Sequence, residues 1–460
     1  TGKIDIIGEN TIETGPIDLA SGFERERKPV NENFTLIPRR TGKATKGEAG
    51  DITIRSKNST IDTTGGKINS RSPDGTGNIT LNAQGNISTG KLEASALNPD
   101  NPTTGGDVNI TSEQGEINAT QNIETFSKKD TAGNVKLTSP GSINIRGIHS
   151  EGMEHGGDIQ VNSERGEINS TGNIDSYSEA GRGGNIKVNA PERVTLGDVS
   201  SYGMEKSGDL RIESRTAKVN TGNVKTQAPQ GDSGSIIING TGVGTGDLSS
   251  IGTTSAGDIE VEATRDSIRI YDIEMKSDGT IGILSLKASE DVNAKYIYQT
   301  AGEGNTNINT DAGRDQNIGN ITQIAKTGDT NNSQAAGRDQ NIGDVTQTAG
   351  GNTDNIQTAG RDQNIGDVTQ TAGGNTNNIQ TAGRDQNIGD VTQTAGGNTN
   401  NIQTAATSSE QVITILEENR NNEYSNYFGK DFSEQLLNKK TPREILTNMA
   451  SQTGKESGVV

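Results

Sequence analysis

A short segment of the general form Gly–polar–aliphatic–polar–aliphatic recurs along this chain and constrains its fold more than any other feature. From Gly50 to Gly282, ten copies span 232 residues in nine intervals, or about 26 residues per cycle. Within a copy, aliphatic residues alternate with polar ones, which is the periodicity of a β-strand with one buried face. The copies are GDITI at Gly50, GNITL at Gly77, GDVNI at Gly106, GNVKL at Gly133, GDIQV at Gly157, GNIKV at Gly184, GDLRI at Gly208, GSIII at Gly234, GDIEV at Gly257 and GILSL at Gly282.

Two further short aliphatic segments follow the first in most cycles, as at Ile168 and Ile174 after the copy at Gly157. Three short strands per cycle, joined by turns rich in Gly, Asn and Ser, predict an all-β fold. That fold is a right-handed parallel β-helix, or β-solenoid, with three short strands per coil. Each coil would pair its backbone with its neighbours at a spacing of about 4.8 Å. A flat β-meander or disorder are the alternatives, but neither accounts for a threefold pattern held over ten cycles.

Composition alone would suggest disorder, because 27% of the residues are hydrophobic, 3% are aromatic and the net charge is -18 over 460 residues. A stack of coils removes this objection, since a few aliphatic side chains per coil form a continuous narrow core. Glycines are expected at the corners, where a positive φ or a close backbone approach is needed. The variable part of each cycle, such as SEAGRG at residues 178–183, predicts a loop corner. The predicted rod is on the order of 70 Å long.

A stricter repeat occupies residues 301–406, where AGRDQNIGDVTQTAGGNTDNIQT returns almost unchanged at a spacing of 24 and then 23 residues. It divides into three strands, DQNI, DVTQTA and NNIQTA, and predicts the same solenoid with shorter corners. A loosely held linker is the alternative, because the large apolar residues of this region are isolated Ile and Val residues.

In-register stacking of the stricter repeat predicts ladders of identical side chains. Amide side chains can satisfy one another along the axis of such a stack. The repulsion between stacked arginines would be offset by the aspartates beside them. The predicted columns are Gln340, Gln363 and Gln386; Asn341, Asn364 and Asn387; and Arg338, Arg361 and Arg384 beside Asp339, Asp362 and Asp385.

The chain divides into four predicted parts. They are residues 1–49, N-terminal β-helix coils with a loop insertion around residues 23–40; residues 50–300, the irregular β-helix coils; residues 301–406, the regular solenoid; and residues 407–460, a helical segment.

A small α-helical C-terminal segment is predicted because capping-box spacings at Ser408 and Thr441 precede aliphatic runs. This segment would either cap the solenoid or begin a following domain. The chain is expected to be a fragment or a processed form of a longer protein, since its first residues do not begin a signal peptide.

Two stretches resemble a known class of exported proteins. The GDIxV cycles resemble the stalk of filamentous-haemagglutinin-like exoproteins of two-partner secretion systems. The segment EYSNYFGKDF, followed by TPREILTNMASQTGK, resembles the region ahead of CHAT peptidase domains in large cyanobacterial members. The first resemblance covers most of the chain and is general to β-helices, whereas the second covers about 40 residues and is more specific.

This resemblance implies export through an outer-membrane translocator, followed by secretion or display at the outer cell surface, with surface glycans or proteins as further partners. The family's N-terminal secretion domain carries an NPNG-type motif that is not recognisable here, since Asn98-Pro99-Asp100 is a predicted loop. The His/Cys dyad of a CHAT peptidase has no counterpart, because the chain contains no Cys. The resemblance therefore assigns no catalytic residue.

One loop could hold a divalent metal in principle. His149 and His155 share the segment GIHSEGMEHGG with Glu151 and Glu154. The spacing matches no helical metal motif, and a charged corner loop would have the same composition. No catalytic, cofactor-binding or metal-binding residue is assigned from the sequence, and no cofactor is expected.

Other features argue against particular partners. The segment GNISTGKL at residues 85–92 is close to a phosphate loop, but Leu92 replaces the magnesium-binding hydroxyl and no helix signal follows. The net charge of -18 disfavours nucleic-acid binding. The sequence contains no stretch of roughly 20 apolar residues, so membrane insertion is not expected. The absence of Cys fits either a reducing cytosol or a chain that stays extended during export.

The sequence thus predicts a structural stalk or adhesin-like scaffold of a secreted bacterial surface exoprotein, which presents corner loops and a C-terminal domain and is not itself an enzyme. The alternative is a carbohydrate-active β-helix enzyme, a polysaccharide lyase or hydrolase. Such an enzyme needs clustered carboxylates and aromatic platforms, and the chain has no Asp-Asp pair and no Trp. Tyr177, Tyr202 and Tyr271 recur near corners, where they could line one face or only cover coil edges.

Overall fold

The computed structural model describes residues 3–20, 49–72, 75–98, 100 and 103–405. It divides into two compact units, Thr1–Ile259 (unit 1) and Glu260–Val460 (unit 2). The described residues of both units form β-strands and turns without a helix, so none of them belongs to a membrane-spanning helix. The prediction of an all-β parallel β-solenoid with stacked coils is confirmed. The predicted loop insertion around residues 23–40 and the helical segment 407–460 lie outside the described residues.

Unit 1 consists of successive coils, and strands of the same type pair in parallel from coil to coil to form three ladders. Ladder A contains Ile4–Gly8, Ile52–Ser56, Ile79–Ala83, Val108–Ser112, Val135–Ser139, Ile159–Ser163, Ile186–Ala190, Leu210–Ser214 and Ile236–Gly240. Ladder B contains Ile12–Glu13, Ile61–Thr63, Ile87–Thr89, Ile117–Ala119, Ile143–Ile145, Ile168–Ser170, Val194–Thr195, Val219–Asn220 and Val243–Gly244. Ladder C contains Ile17–Ala20, Ile68–Ser72, Leu92–Ala96, Ile123–Ser127, Ile148–Gly152, Ile174–Ser178, Val199–Gly203, Val224–Ala228 and Leu248–Gly252. A further short strand, Ser255–Ala256, follows, and the strand Ile259–Ala263 begins at the last residue of unit 1 and continues into unit 2.

The core of unit 1 is a stack of aliphatic side chains, one layer per coil. In ladder A, Ile159 and Val161 are 1% and 0% exposed, and each has an aliphatic partner in register in both neighbouring coils. Polar residues between them, such as Gln160, point outward. The alternation read from the sequence therefore places the same positions inside in every coil, and a continuous core results from few apolar residues.

From Gly77 to Gly234, the glycine that precedes each ladder A strand is required by a close approach between coils. A Cβ added at Gly157 would lie 2.1 Å from the carbonyl oxygen of Gly133, one coil earlier. At Gly184 the corresponding distance to the carbonyl oxygen of Gly157 is 2.3 Å. Among the described glycines, only Gly75 and Gly304 have a positive φ. The recurrent glycines thus serve close packing of the backbone rather than a left-handed conformation.

The polar residue after each of these glycines also continues from coil to coil. The backbone N–H of Asn134 donates to Asp107 Oδ1 at 2.7 Å, and the N–H of Asp158 donates to Asn134 Oδ1 at 2.8 Å. Asp and Asn alternate along this column, so successive carboxylates are two coils apart, about 9.6 Å. That separation exceeds the Debye length of about 8 Å at physiological salt, which limits repulsion between the carboxylates. The column consists of Asp51, Asn78, Asp107, Asn134, Asp158, Asn185 and Asp209.

Unit 2 has two ladders, D and E. Ladder D contains Ile283–Ala288, Thr306–Ala312, Thr330–Ala336, Thr353–Ala359, Thr376–Ala382 and Thr399–Ala405, and a short strand, Thr280–Ile281, precedes it. Ladder E begins with the ten-residue strands Ile268–Ser277, Val292–Ala301 and Gln316–Ala325. It continues as pairs of shorter strands: Gln340–Ile342 with Val345–Ala349, Gln363–Ile365 with Val368–Ala372, and Gln386–Ile388 with Val391–Ala395.

The strict repeat of unit 2 forms ordered, paired coils through Ala405. Each strand of ladder D from Thr306–Ala312 onward pairs with the next without a register shift, and from Thr353–Ala359 onward nearly every residue stacks on an identical one. The predicted strands DQNI and DVTQTA correspond to ladder E, and NNIQTA corresponds to ladder D. The alternative of a loosely held linker does not describe this region.

Candidate functional site

The interior of unit 2 contains columns of buried amide side chains. Gln340, Gln363 and Gln386 stack in register, and each donates its Nε2–H to the Oε1 of the glutamine one coil earlier, at 2.5, 2.7 and 2.7 Å. The predicted glutamine ladder is therefore confirmed. The predicted asparagine column lies on the outside of the same strands, where Asn387 donates to Asn364 at 3.0 Å.

A second glutamine column was not foreseen from the sequence. Gln347 is fully buried, donates to Gln323 Oε1 at 2.9 Å and to the carbonyl oxygen of Asp354 at 2.9 Å, and accepts a hydrogen bond from Gln370 at 2.8 Å. An amide can occupy such an interior because it has both a donor and an acceptor, which its neighbours in the column complete. Buried amide columns in unit 2 are Gln299, Gln323, Gln347 and Gln370; Gln316, Gln340 and Gln363; Gln334, Gln357 and Gln380; and Asn332, Asn355 and Asn378.

The predicted arginine column is offset by aspartates, as expected, but its shortest bonds reach the preceding coil. Arg338 Nε donates to Asp315 Oδ1 at 2.7 Å, and its Nη2 contacts Asp315 Oδ2, whereas the neighbouring Asp339 lies 3.7 Å away. The hydrogen bond from Arg338 holds the pKa of Asp315 below its usual value. These pairs are exposed to solvent, so they fix register more than they add stability.

One carboxylate interrupts an otherwise neutral column on ladder D. Asp354 lies in register between Asn331 and Asn377, and burial raises its pKa. We expect Asp354→Asn to raise the free energy of unfolding of unit 2 at pH 7 by about 1 kcal/mol. Since the folded-state pKa is raised, the penalty exists above it and disappears as the pH falls below the unfolded value of about 3.9. Urea denaturation of both variants at pH 7 and near pH 4 measures this difference.

The matched control for Asp354 is Asp344→Asn, which removes an exposed carboxylate of the same coil. This control should change stability little at either pH. A gain from Asp354→Asn that is equal at both pH values would show that protonation of Asp354 is not its source.

The histidine-containing loop, to which no metal site was assigned from the sequence, is divided by the structure. His149 lies in ladder C, and its Nε2 is 2.9 Å from Glu151 Oε2. His155 is exposed in a corner, where its backbone bridges to Thr131 and Arg182. Among the residues that the structure describes, no three His, Asp or Glu side chains have a geometry suited to a metal ion.

The phosphate-loop-like segment is a corner of the solenoid. Its residues form the strand Ile87–Thr89 and the start of the strand Leu92–Ala96, with Gly90 and Lys91 between them. Lys91 Nζ binds Glu124 Oε2 at 2.6 Å instead of facing a cradle of backbone amides. This geometry is not that of a phosphate-binding loop.

A polar groove of about 810 Å³ lies along the corner between ladders B and C of unit 1. Its lining includes Arg146, Asn144 and a row in register along ladder C, Glu124, His149 and Asp175. Burial raises the pKa of Asp175, although Ser200 Oγ donates to its Oδ1 at 2.7 Å. The groove can therefore offer hydrogen-bond donors and acceptors, together with a carboxyl group that holds its proton to a higher pH than usual.

The three tyrosines singled out from the sequence belong to two different units. Tyr177 and Tyr202 stack on each other in ladder C, with ring centroids 4.8 Å apart and planes 11° from parallel. Tyr271 belongs to unit 2, where Lys295 Nζ lies 4.4 Å from its ring centroid.

Sequence reasoning missed Tyr296 and Tyr298, which are exposed on the strand next to that of Tyr271. The signal that could have found them is KYIYQ at residues 295–299, where two tyrosines flank an inward-facing isoleucine.

Comparison with known proteins identified no relative. No protein-family model matches the chain, and neither the curated proteins nor the solved structures gave a match. Functional conclusions therefore rest on the fold and on the side chains described above.

Proposed function

We propose that this chain is a structural scaffold, the stalk of a secreted bacterial surface exoprotein of the filamentous-haemagglutinin-like, two-partner-secretion type. The observation that carries the proposal is the in-register continuation of backbone and side-chain hydrogen bonds from coil to coil within each unit. A stack of this kind positions whatever is attached to its corners or its ends. Its coils contact mainly their immediate neighbours, so coils can be added or lost without redesign of the rest.

The export part of the proposal follows from how such a stack can form. Each arriving coil can pair with the edge of the coil before it, which suits a chain that emerges from an outer-membrane translocator in one direction. A chain without Cys cannot form a disulfide-closed loop that would obstruct a narrow pore. The proposal also includes three further points: the coils wind in a right-handed sense, the stalk is displayed at the outer cell surface, and it presents a CHAT-type domain.

Removal of one whole repeat tests the scaffold directly. Deletion of residues 360–382 joins Ala359 to Gly383 and stacks Gln386 on Gln340 in place of Gln363. The shortened unit 2 should remain folded and lose one coil, about 4.8 Å of height. Far-ultraviolet circular dichroism and hydrogen exchange measure whether the remaining coils stay folded. The amide of Val345 should stay protected from exchange.

A deletion out of register provides the control. Removal of residues 360–370 joins Ala359 to Thr371 and leaves an incomplete coil. Protection should then be lost in the coils around the junction. If both deletions had the same effect, coil stacking in register would not be the source of order, and the scaffold proposal would fail.

The alternative function, a carbohydrate-active enzyme, has one candidate location, the polar groove of unit 1. Asp175 with its raised pKa beside His149 is the observation that favours it. Incubation with a panel of neutral and acidic polysaccharides tests this alternative. Reproducible cleavage that Asp175→Asn abolishes would replace the scaffold proposal by the enzyme.

A further inference from the structure

Exposed aromatic side chains are concentrated at one place in unit 2. Among the described residues, the most exposed large hydrophobic side chains are Ile7 and three tyrosines, Tyr271, Tyr296 and Tyr298, with exposed fractions of 53%, 44% and 37%. The chain has only 12 Phe and Tyr residues and no Trp, so three exposed rings at one place are unusual for it. A contiguous group of exposed apolar side chains marks a surface that binds another molecule.

The polar surroundings of the rings follow from strand register. Tyr296 lies opposite Asp272 in the preceding coil and opposite Asn320 in the next coil. Tyr298 lies opposite Glu274 and Thr322 in the same way. Each ring is therefore flanked by a carboxylate on one side and by an amide or a hydroxyl group on the other.

Two charged groups distinguish this patch from a simple apolar surface. Lys295 Nζ donates to Tyr271 Oη at 2.6 Å and lies 5.1 Å from the ring centroid of Tyr296, so this cation is held against the two rings. Asp272 Oδ1 accepts no hydrogen bond from the described residues. This oxygen is buried and is therefore not part of the exposed surface, while the nearby cation of Lys295 is already engaged by the tyrosines.

A shallow groove of about 380 Å³ lies beside the patch. Its lining includes Ala294, two residues before Tyr296, and the stacked amides of Asn317 and Asn341. Asn341 donates to Asn317 at 3.0 Å, so the amides are oriented by their own column. Oriented amides at a spacing of about 4.8 Å can bond successive hydroxyl groups of an extended ligand.

We propose that Tyr271, Tyr296 and Tyr298 form a binding site for a neutral glycan. The C–H groups on the face of a sugar ring carry partial positive charge and pack on the negative face of a tyrosine ring. Carboxylates and amides beside the rings accept and donate hydrogen bonds to sugar hydroxyls, which orients the ligand. Asp272 and Glu274 carry two negative charges beside the rings against the single positive charge of Lys295, so an acidic polysaccharide is disfavoured relative to a glycan without charge. The site rests on the proposed function in one respect, since display at the cell surface would bring the tyrosines into contact with glycans.

An array of neutral, acidic and amino-sugar glycans, probed with the full chain, tests the proposal. Neutral oligosaccharides should be retained in preference to uronic or sulfated ones. The best neutral oligosaccharide is then titrated by calorimetry. Tyr298→Ala and Tyr296→Ala should each weaken binding about tenfold or more, a difference of about 1.4 kcal/mol. Tyr298→Phe keeps the ring and should retain most of the affinity.

The matched control is Tyr202→Ala in unit 1, where the ring stacks on Tyr177. This variant should bind as the unsubstituted chain does, and circular dichroism verifies that all variants are folded. Absence of neutral-glycan binding, preference for acidic glycans, or unchanged affinity of Tyr296→Ala and Tyr298→Ala would each overturn the site. If no glycan bound but the chain without residues 360–382 stayed folded, the scaffold proposal would stand and the site would fail. If glycan bound but that deletion unfolded unit 2, the site would stand and the scaffold proposal would fail.

Discussion

Gly157→Ala should lower the free energy of unfolding of unit 1 by about 3 kcal/mol. The added Cβ would lie 2.1 Å from the carbonyl oxygen of Gly133 and 2.6 Å from its carbonyl carbon, so the backbones of two coils must separate. Ser150 Oγ joins these backbones, because it donates to the oxygen of Gly133 at 3.2 Å and accepts from the N–H of Gly157 at 2.9 Å. The substitution therefore disrupts buried hydrogen bonds in addition to packing.

Chemical denaturation followed by circular dichroism, together with hydrogen exchange of ladder A amides near residue 157, measures this loss. Gly65→Ala is the matched control, since its Cβ would meet the nearest atom, the oxygen of Thr14, at 3.4 Å, an ordinary contact. Alanine at that position should be neutral or slightly stabilising. Equal denaturation midpoints for the two variants would contradict the close approach between coils.

Gln347→Ala should destabilise unit 2 by about 4 kcal/mol. The substitution leaves a cavity and removes the donor for Gln323 Oε1 and for the carbonyl oxygen of Asp354. Gln370 retains its bond to the carbonyl oxygen of Asn377 at 3.1 Å but loses its acceptor in the column. A buried acceptor without a donor costs about 1 to 3 kcal/mol, and the cavity adds to that amount.

Gln347→Glu separates hydrogen bonding from volume, because the side chains have nearly the same size. The ionised carboxylate introduced by this substitution cannot donate to the two acceptors that Gln347 satisfies, so the folded-state pKa of the new carboxyl should be raised. A raised folded-state pKa means that destabilisation is greatest at neutral pH and decreases as the pH falls toward the unfolded value of about 4.3. The denaturation midpoint of Gln347→Glu should therefore differ less from that of the unsubstituted chain near pH 4 than at pH 7, and a part of the loss should remain because a protonated carboxyl has one O–H donor for two acceptors.

Asn364→Ala is the control for both substitutions, since it interrupts an amide column that faces solvent. Its cost should stay below about 1 kcal/mol, because water replaces the lost hydrogen bonds. If Gln347→Ala were no more harmful than Asn364→Ala, the buried glutamines would not stabilise unit 2.

The period and strand alternation of the sequence were sufficient to predict the stacked parallel coils of unit 1. Aliphatic residues two apart, such as Ile159 and Val161, are both buried, because successive side chains of a strand point to opposite sides. The repeat of unit 2 likewise predicted that Gln340, Gln363 and Gln386 would stack. The repeat did not show that the side chain of Gln347 faces the core. The VTQTA strand has polar residues on both faces, and no large aliphatic residue after Val345 indicates which face is buried.

The candidate sites were less predictable than the fold. His149 and His155 are six positions apart in sequence, yet one belongs to a strand and the other to a corner. Tyr296 and Tyr298 acquire their polar surroundings from strands about 24 residues earlier and later. These neighbours depend on the length of every corner in between, which a single cycle does not reveal.

The amino-acid sequence by itself determined the architecture, because periodic aliphatic residues and recurrent glycines allow few structures other than stacked parallel coils. Only the tertiary structure decided which side chains meet, since contacts across a solenoid join residues of different coils. Arg338 thus binds Asp315 in the coil before it more closely than the adjacent Asp339. The physical reason is that stacking register, and not distance along the chain, sets the spacing between side chains in a β-solenoid.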